Sequence, residues 1–377
     1  MIEIIKLELK HLLQNRFLLA MYFVMPLFCA VFIYITLQNE VVRKLPIGLL
    51  DLDNTQTTRD IIFDINASPV LESRFYTDLV QAQDALSTKE IYALVVFQKD
   101  LEKDIILNKV PKIVVYYNAQ LVFIGKNIYS ALLQIFSTVN IKLKFKKHLV
   151  ESKNTTLALS SSINIAPKFT ALYNKNSNFT QFMLPTLLPC LWQLFIILCM
   201  IGIIASDESD VGFIKNKQNR IKDFHLHLSI KIIINSVIFF IWWAVMYLAF
   251  YHLGYIHNGN INILALNAVV TIFAYNSIGI FIYALIGSHT RAISIAAVYA
   301  APSLAFVGIT YPINNMEVFA TFWGEILPIT KYLLVYIQQA SYGVDSLASL
   351  KLISYNLIFL LFGILGILIY KKKVALL

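Results

Sequence analysis

Charge is scarce in this chain. Asp, Glu, Lys and Arg make up 14% of its 377 residues, where an average soluble domain carries about a quarter. Hydrophobic residues reach 58%, which excludes an ordinary water-soluble globule and puts much of the chain in lipid. Cysteine is scarce too. Cys29, Cys190 and Cys199 all fall inside apolar runs, so no disulfide framework or zinc spacing can be built from them, and they read as small packing residues. There is no G-x-x-x-x-G-K-[ST] loop, which excludes ATP binding in the Walker manner, and neither H-E-x-x-H nor G-x-S-x-G occurs. His225 and His227 flank Leu226, a spacing better suited to a strand than to a helix for joint metal binding. The expectation is a chain that binds no cofactor of its own and is not itself an enzyme. The apolar runs hold essentially no acids, which argues against a proton-coupled carrier, since that chemistry needs a titratable group within the membrane. Lys231 reads as a span-end residue that snorkels. The net charge of +9 has no basic helix or aromatic-interleaved patch behind it, so no nucleic-acid partner is expected.

What the chain does have is an uneven layout: one apolar run near the N-terminus, a polar stretch of some 140 residues, then closely spaced apolar runs. A helix needs about 20 apolar residues to cross the hydrocarbon core. Six segments qualify, near 17–37, 181–205, 231–253, 263–286, 292–311 and 351–370. The first is too long for the apolar core of a cleaved signal and lacks a small-x-small exit, so it reads as an uncleaved helix. The fifth, rich in Ala and Ser and holding Pro302, belongs in a bundle interior where neighbours re-satisfy the backbone. Lys6, Lys10, Arg16, Lys215, Lys217, Arg220, Lys222, Arg291 and Lys371 to Lys373 fall on one side of these spans. The positive-inside rule therefore puts both termini in the cytoplasm and residues 38–179 outside. Tyr311, Trp323 and Tyr332 mark the outer boundary, whereas Trp242 and Trp243 lie deep in a span.

Residues 38–179 read as a mixed α/β domain. Strands are expected at 46–53, 91–97 and 112–118, each an apolar, β-branched or aromatic run, with a short helix over 80–90. From 121 to 150 apolar residues recur at helical spacing and end in KLKFKKH, whose Lys142, Lys144, Lys146 and Lys147 read as a solvated face. Residues 166–178 look like a linker into the second span. The fold class is thus a polytopic α-helical membrane protein, six transmembrane helices with an inserted mixed α/β extracytoplasmic domain. Its divisions are an amphipathic segment (1–16), a first span (17–37), the inserted domain (38–179) and a five-helix region (180–377).

Four stretches, in this order relative to the spans, carry a family resemblance. They are LPIGLLDLDNTQTTRDI (45–61), LVVFQKDLEKDI with VVYYNAQLVFIGKNI (94–105 and 114–128), ASDESDVGFIKNKQNRIKDF (205–224) and GITYPINNMEVFATFWGEILPITKYLLVYIQQASYG (308–343). Together they resemble the membrane subunit of ABC-2 type exporters, in the branch with a large outer domain after the first helix. The third stretch departs from the usual pattern, with Phe213 where Thr commonly follows Gly212 and with Asp210 and Val211 in place of the commoner Glu-Lys or Glu-Glu pair.

The resemblance implies two membrane subunits forming a pathway, as a homodimer or heterodimer, with cytoplasmic ATPase subunits that bind the ATP. Asp207, Glu208, Asp210, Gly212 and Arg220 would form the loop that contacts the ATPase. Residues 2–10 would lie in the interface with Lys6 and Lys10 in the headgroup layer; a plain interfacial helix is the alternative there. The stretch 312–330, broken by Pro312, Gly324 and Pro328, is too short to cross and return, so a re-entrant hairpin is expected near the outer face. Gly308, Pro312, Glu317, Trp323, Glu325 and Pro328 would build that gate. A periplasmic membrane-fusion adaptor and membrane lipid are further partners that the resemblance suggests. The first expected function is a permease in a bacterial inner membrane that exports an amphipathic drug, lipid or similar compound. A non-transporting scaffold or sensor recruiting envelope partners stands as the alternative, and a polytopic enzyme comes last for want of a catalytic constellation.

Overall fold

The computed structural model describes residues 2–38, 43–107, 109, 111–152, 154–156, 178–206, 224–255, 259–309 and 316–376. In chain order the elements are α1 (Ile2–Gln14), α2 (Arg16–Leu37), β1 (Leu45–Asp51), α3 (Gln56–Asn66), β2 (Leu71–Tyr76), α4 (Leu79–Ser87), β3 (Ala93–Phe97), α5 (Leu101–Ile106), β4 (Ile113–Tyr117), α6 (Val122–Ser152), α7 (Phe179–Ala205), α8 (Phe224–His252), α9 (Ile261–Ile286), α10 (His289–Ala300), α11 (Val318–Glu325), α12 (Pro328–Tyr342) and α13 (Ser346–Lys373). They gather into two compact units, Met1–Asn39 with Thr180–Leu377, and Glu40–Phe179.

The 40–179 unit is a four-stranded sheet in the order β2-β1-β3-β4, with β1 parallel to β2 and β3, and β4 antiparallel to β3. A strand pair that runs parallel needs a crossover, and α3 and α4 supply the two. Both faces of the sheet are therefore covered, and β1 and β3 are buried almost throughout. Leu45, Ile47 and Leu49 turn to one side, against Ile61 and Ile65 of α3 and Ile128 and Leu132 of α6. Leu50, Leu94 and Val96 turn to the other, against Ala82 and Ala85 of α4. Strand β2 was not expected from the sequence. Its residues LESRFY alternate with charge because it is an edge strand, half exposed, and so it lacks an apolar run. The KLKFKKH cluster is also more than a solvated face. Lys142 Nζ lies 2.7 Å from Asp64 and Lys146 Nζ 3.4 Å from Asp60, fastening α6 to α3.

In the other unit, among the described residues, five helices are long and apolar enough to cross a membrane: α2, α7, α8, α9 and α13. A bent pair, α11 with α12, would make a sixth. Helices α7 and α9 are the centre, 72% and 67% buried over their most apolar windows, whereas α2 is only 11% buried there. Close approach decides one central contact: a Cβ on Gly366 of α13 would fall 2.8 Å from the backbone of Phe281 on α9, the small-residue packing that lets membrane helices touch. The span expected over 292–311 is not continuous. Helix α10 stops at Ala300, Pro302 starts a separate short turn at Ser303–Phe306, and Gly308 takes a left-handed φ of +81°.

Candidate functional site

The bent pair is the most elaborately held feature of the helical unit. Helices α11 and α12 meet at 84° across Ile326 and Leu327, with Pro328 at the first turn of α12, where its missing N–H costs nothing. A helix break buried in apolar surroundings leaves backbone groups that must find partners, and here neighbouring side chains provide them. Tyr299 of α10 donates to the carbonyl of Ile326 at 2.6 Å, Thr330 donates to the carbonyl of Gly324 at 2.7 Å, and Asn356 of α13 donates to the carbonyl of Pro328 at 3.0 Å. The Tyr275 hydroxyl on α9 accepts the Ile329 N–H at 2.9 Å while donating to Gln193 Oε1 on α7. Three neighbouring helices, α9, α10 and α13, therefore bond directly to one bend, and Thr330 of α12 ties its two arms together. Gly324 is required by contact rather than by conformation, since a Cβ there would sit 2.7 Å from the carbonyl oxygen of Phe306.

Of the residues expected to build a gate, Trp323 and Pro328 lie at this bend, with the Trp323 ring tilted against Phe306 and Phe319, and Gly308 lies two residues beyond Phe306. The Trp323 indole nitrogen is buried, with no hydrogen-bond partner among the described residues. Glu325 pairs with Lys331 at 2.7 Å. Glu317 is exposed, at the N-terminal cap position of α11. Pro312 lies outside the described residues, as do Asp207, Glu208, Asp210, Gly212 and Arg220.

Sequence reasoning missed a polar chain through the bundle. The Tyr22 hydroxyl on α2 donates to Asn235 Oδ1 on α8 at 2.7 Å, Asn235 donates to Asn276 Oδ1 on α9 at 2.5 Å, and Asn276 donates to Ser236 Oγ at 2.8 Å. Tyr22 can face inward because residues Ala20–Val24 form a π-helical turn, which rotates one side chain out of register with the lipid-facing stripe. A second π turn, Ile337–Tyr342, aims Gln339 at Ser349 Oγ and the carbonyl of Val344, and its Oε1 accepts the Asn260 N–H. Asparagines within apolar spans were the available signal, and no rule of periodicity says which of them pair. Beside this chain lies an apolar cavity of about 120 Å³ lined by Pro26, Cys29, Leu188, Trp192, Trp242 and Met246, among others. Both indole N–H groups there are already spent on backbone, Trp192 on Phe239 and Trp242 on Tyr22, so the cavity offers a guest apolar surface only.

At the end of the unit where α7 finishes and α8 begins, α1 presents two faces. Lys6 and Lys10 are exposed, whereas Glu8 is 1% exposed and Leu12 is buried. Glu8 lies 3.1 Å from Lys231 Nζ and 2.9 Å from His227 Nδ1, both on α8. Lys231, itself 2% exposed, also donates to the carbonyl of Ile203 on α7 at 2.8 Å. The sequence reading of Lys231 as a snorkelling residue is corrected by this geometry: its ammonium points into the protein because a carboxylate and a carbonyl wait there. Burial raises the pKa of Glu8, but Lys231 and His227 outweigh it and hold the carboxyl below its ordinary value. His225 turns elsewhere, to Lys371 at 3.1 Å, so the two histidines share no ligand position. Among the described residues no group of three or more metal-ligating side chains gathers.

In the 40–179 unit the chain turns at the carboxyl end of β1, where ligands of parallel sheets commonly bind at a switch in strand order. Here the protein fills that crevice itself. Asp51 accepts the N–H groups of Asp53 and Asn54, each at 3.0 Å, and the Thr58 hydroxyl at 2.7 Å. Asp53 accepts from the Thr55 hydroxyl at 2.9 Å and from the Glu102 N–H at 3.1 Å, at the start of α5. Partial desolvation works against the Asp53 carboxylate, yet the hydrogen bonds from Glu102, Thr55, Asp100 and Leu101 hold its pKa below the ordinary value. The cluster is a turn lock between β1, α3 and α5.

No curated protein and no solved structure matches the chain. A family described as ABC-2 family transporter protein does match, over residues 16–370, a span that takes in both units, the bent pair and the polar chain. With that match the chain belongs to the ABC-2 family of transporter membrane proteins, the multi-pass permease components of ATP-binding-cassette transporters.

Proposed function

We propose that the chain is the permease subunit of an ATP-driven exporter in a bacterial inner membrane. It moves an amphipathic compound, a drug, lipid or similar, out of the cytoplasm or the membrane, using ATP hydrolysed by a separate subunit. The observation that carries the reading beyond family membership is the bend between α11 and α12. A re-entrant or broken helix fixed by Tyr275, Tyr299, Thr330 and Asn356 is costly to build, and that cost supports a role such as gating. The apolar cavity along α2, α7 and α8 suits a cargo with an apolar body. Lysine and arginine gathered between α7 and α8 and at the end of α13 support a cytoplasmic side for both termini and residues 207–223, which leaves the 40–179 unit outside. In that frame Asp207, Glu208, Asp210, Gly212 and Arg220 meet the ATPase, Lys6 and Lys10 lie in the headgroup layer, and a second permease copy and a periplasmic adaptor complete the assembly.

Affinity purification of the tagged chain in mild detergent tests this. An ATPase subunit is expected to co-purify, and Glu208→Ala with Asp210→Ala should lower ATP turnover of the complex by about tenfold. Absence of any ATPase from the wild-type preparation would sink the reading in favour of a scaffold.

A further inference from the structure

Two charges buried together are expensive to desolvate, and a chain keeps them only where the geometry is good and the remaining donors and acceptors are met. Glu8 and Lys231 satisfy that condition at 1% and 2% exposure, with His227 completing the carboxylate and Ile203 completing the ammonium. Three helices converge there: α1 brings Glu8, α8 brings His227 and Lys231, and the last turns of α7 bring Ile203. Ala205 ends α7 and Phe224 begins α8, so the two helices on either side of residues 207–223 are the two that hold α1. A helix that merely floated in the interface would turn its carboxylate to water and its lysines to headgroups. Instead α1 splits them, with Lys6 and Lys10 outward and Glu8 inward.

We infer that Glu8, His227 and Lys231 form an ionic latch that makes the N-terminal helix a moving part of the coupling apparatus, locked to the two spans that carry the loop. Glu8 is a positioning residue: it touches neither nucleotide nor cargo, and it sets where α1 stands when the loop is pushed. This rests on the permease reading for its purpose, though the latch itself has a readout that does not depend on an ATPase.

The test uses the full chain with whatever subunit co-purifies, comparing wild type with Glu8→Gln and with the double variant Glu8→Gln/Lys231→Met. The single variant strands a buried ammonium, whereas the double removes both charges at nearly constant volume, a change that commonly leaves folding intact. Two quantities are read: tryptic cleavage after Lys6 and Lys10, and ATP turnover per complex. Cleavage is expected to rise and turnover to fall by more than about tenfold in the single variant, and to shift in the same direction in the double variant, with the partner still bound and the rest of the chain resisting trypsin. A double variant that protects α1 and turns over like wild type would overturn the latch, because packing alone would then hold the helix. Should no ATPase co-purify even with wild type, the permease reading fails, and cleavage alone decides: protection lost in the double variant upholds the latch, and protection retained overturns it.

Discussion

The two units of this protein bury opposite things. Among the described residues of the 40–179 unit, Thr58 is the one buried polar side chain, and the sheet faces are filled by Ile, Leu, Val and Phe. The helical unit buries Glu8, Gln193, Lys231, Asn235, Asn267, Asn276, Gln339 and Asn356, and it leaves Phe28, Phe32, Ile241, Leu361 and Leu368 exposed. The solvent explains the inversion. In water, apolar burial drives association at roughly 25 cal/mol per Å², so the core is greasy and polar groups stay outside. In lipid that force between helices vanishes, and packing with interhelical hydrogen bonds must hold the bundle and choose its register. Asn235 and Tyr275 do in one unit what Ile47 and Val95 do in the other.

The largest expected effect follows from the greasy side. Ile47→Ala empties a fully buried position between α3 and α6 and should cost about 2–5 kcal/mol. The readout is the denaturant needed to expose residues 40–179 of the intact chain to protease. If the helical unit obeyed the same rule, Asn235→Leu would stabilise it by adding apolar surface. The opposite is expected: Tyr22 and Asn276 lose their partner, and thermal unfolding in detergent should show a loss of about 1–2 kcal/mol. A variant as stable as wild type would mean that the polar chain is dispensable and that interhelical hydrogen bonds do not set the packing of the bundle.

The same inversion explains what was legible in the sequence. Long apolar runs announce spans, so α2, α7, α8, α9 and α13 were expected with their approximate limits, and the runs at 46–53, 91–97 and 112–118 announced β1, β3 and β4 because both faces of those strands, or one, are buried. Strand β2 was invisible because an edge strand needs no apolar run. The break at Pro302 was visible as a residue but not as an end, since a proline within a span can be accommodated or can stop it, and only the neighbours decide. Pro328 is visible in the sequence as a breaker, whereas the holders of the bend there, Tyr275, Tyr299 and Asn356, stand up to 54 residues away in sequence and leave no local pattern. Glu8 and Lys231 are 223 residues apart as numbered; Lys231 reads as a snorkelling span end, and nothing local singles out Glu8 within the amphipathic segment. Their pairing is a property of three helices meeting, and neither helix alone encodes it.

The smallest expected effect separates the ion pairs of the two units. Lys142 and Asp64 stand 2.7 Å apart, but the lysine side chain is 54% exposed, so water and salt screen the attraction. Lys142→Ala should cost no more than about 1 kcal/mol, and less as ionic strength rises. The Glu8–Lys231 pair has almost no access to solvent, so salt should barely change its contribution. Protease exposure of α6 in Lys142→Ala, and of α1 in Glu8→Gln/Lys231→Met, each compared with wild type at low and high salt, would read both pairs in one chain. The α6 difference should shrink as salt is added while the α1 difference persists. If both shrink together, the latch is wetter than its geometry indicates, and the contrast between a solvated and a buried ion pair no longer distinguishes the two units.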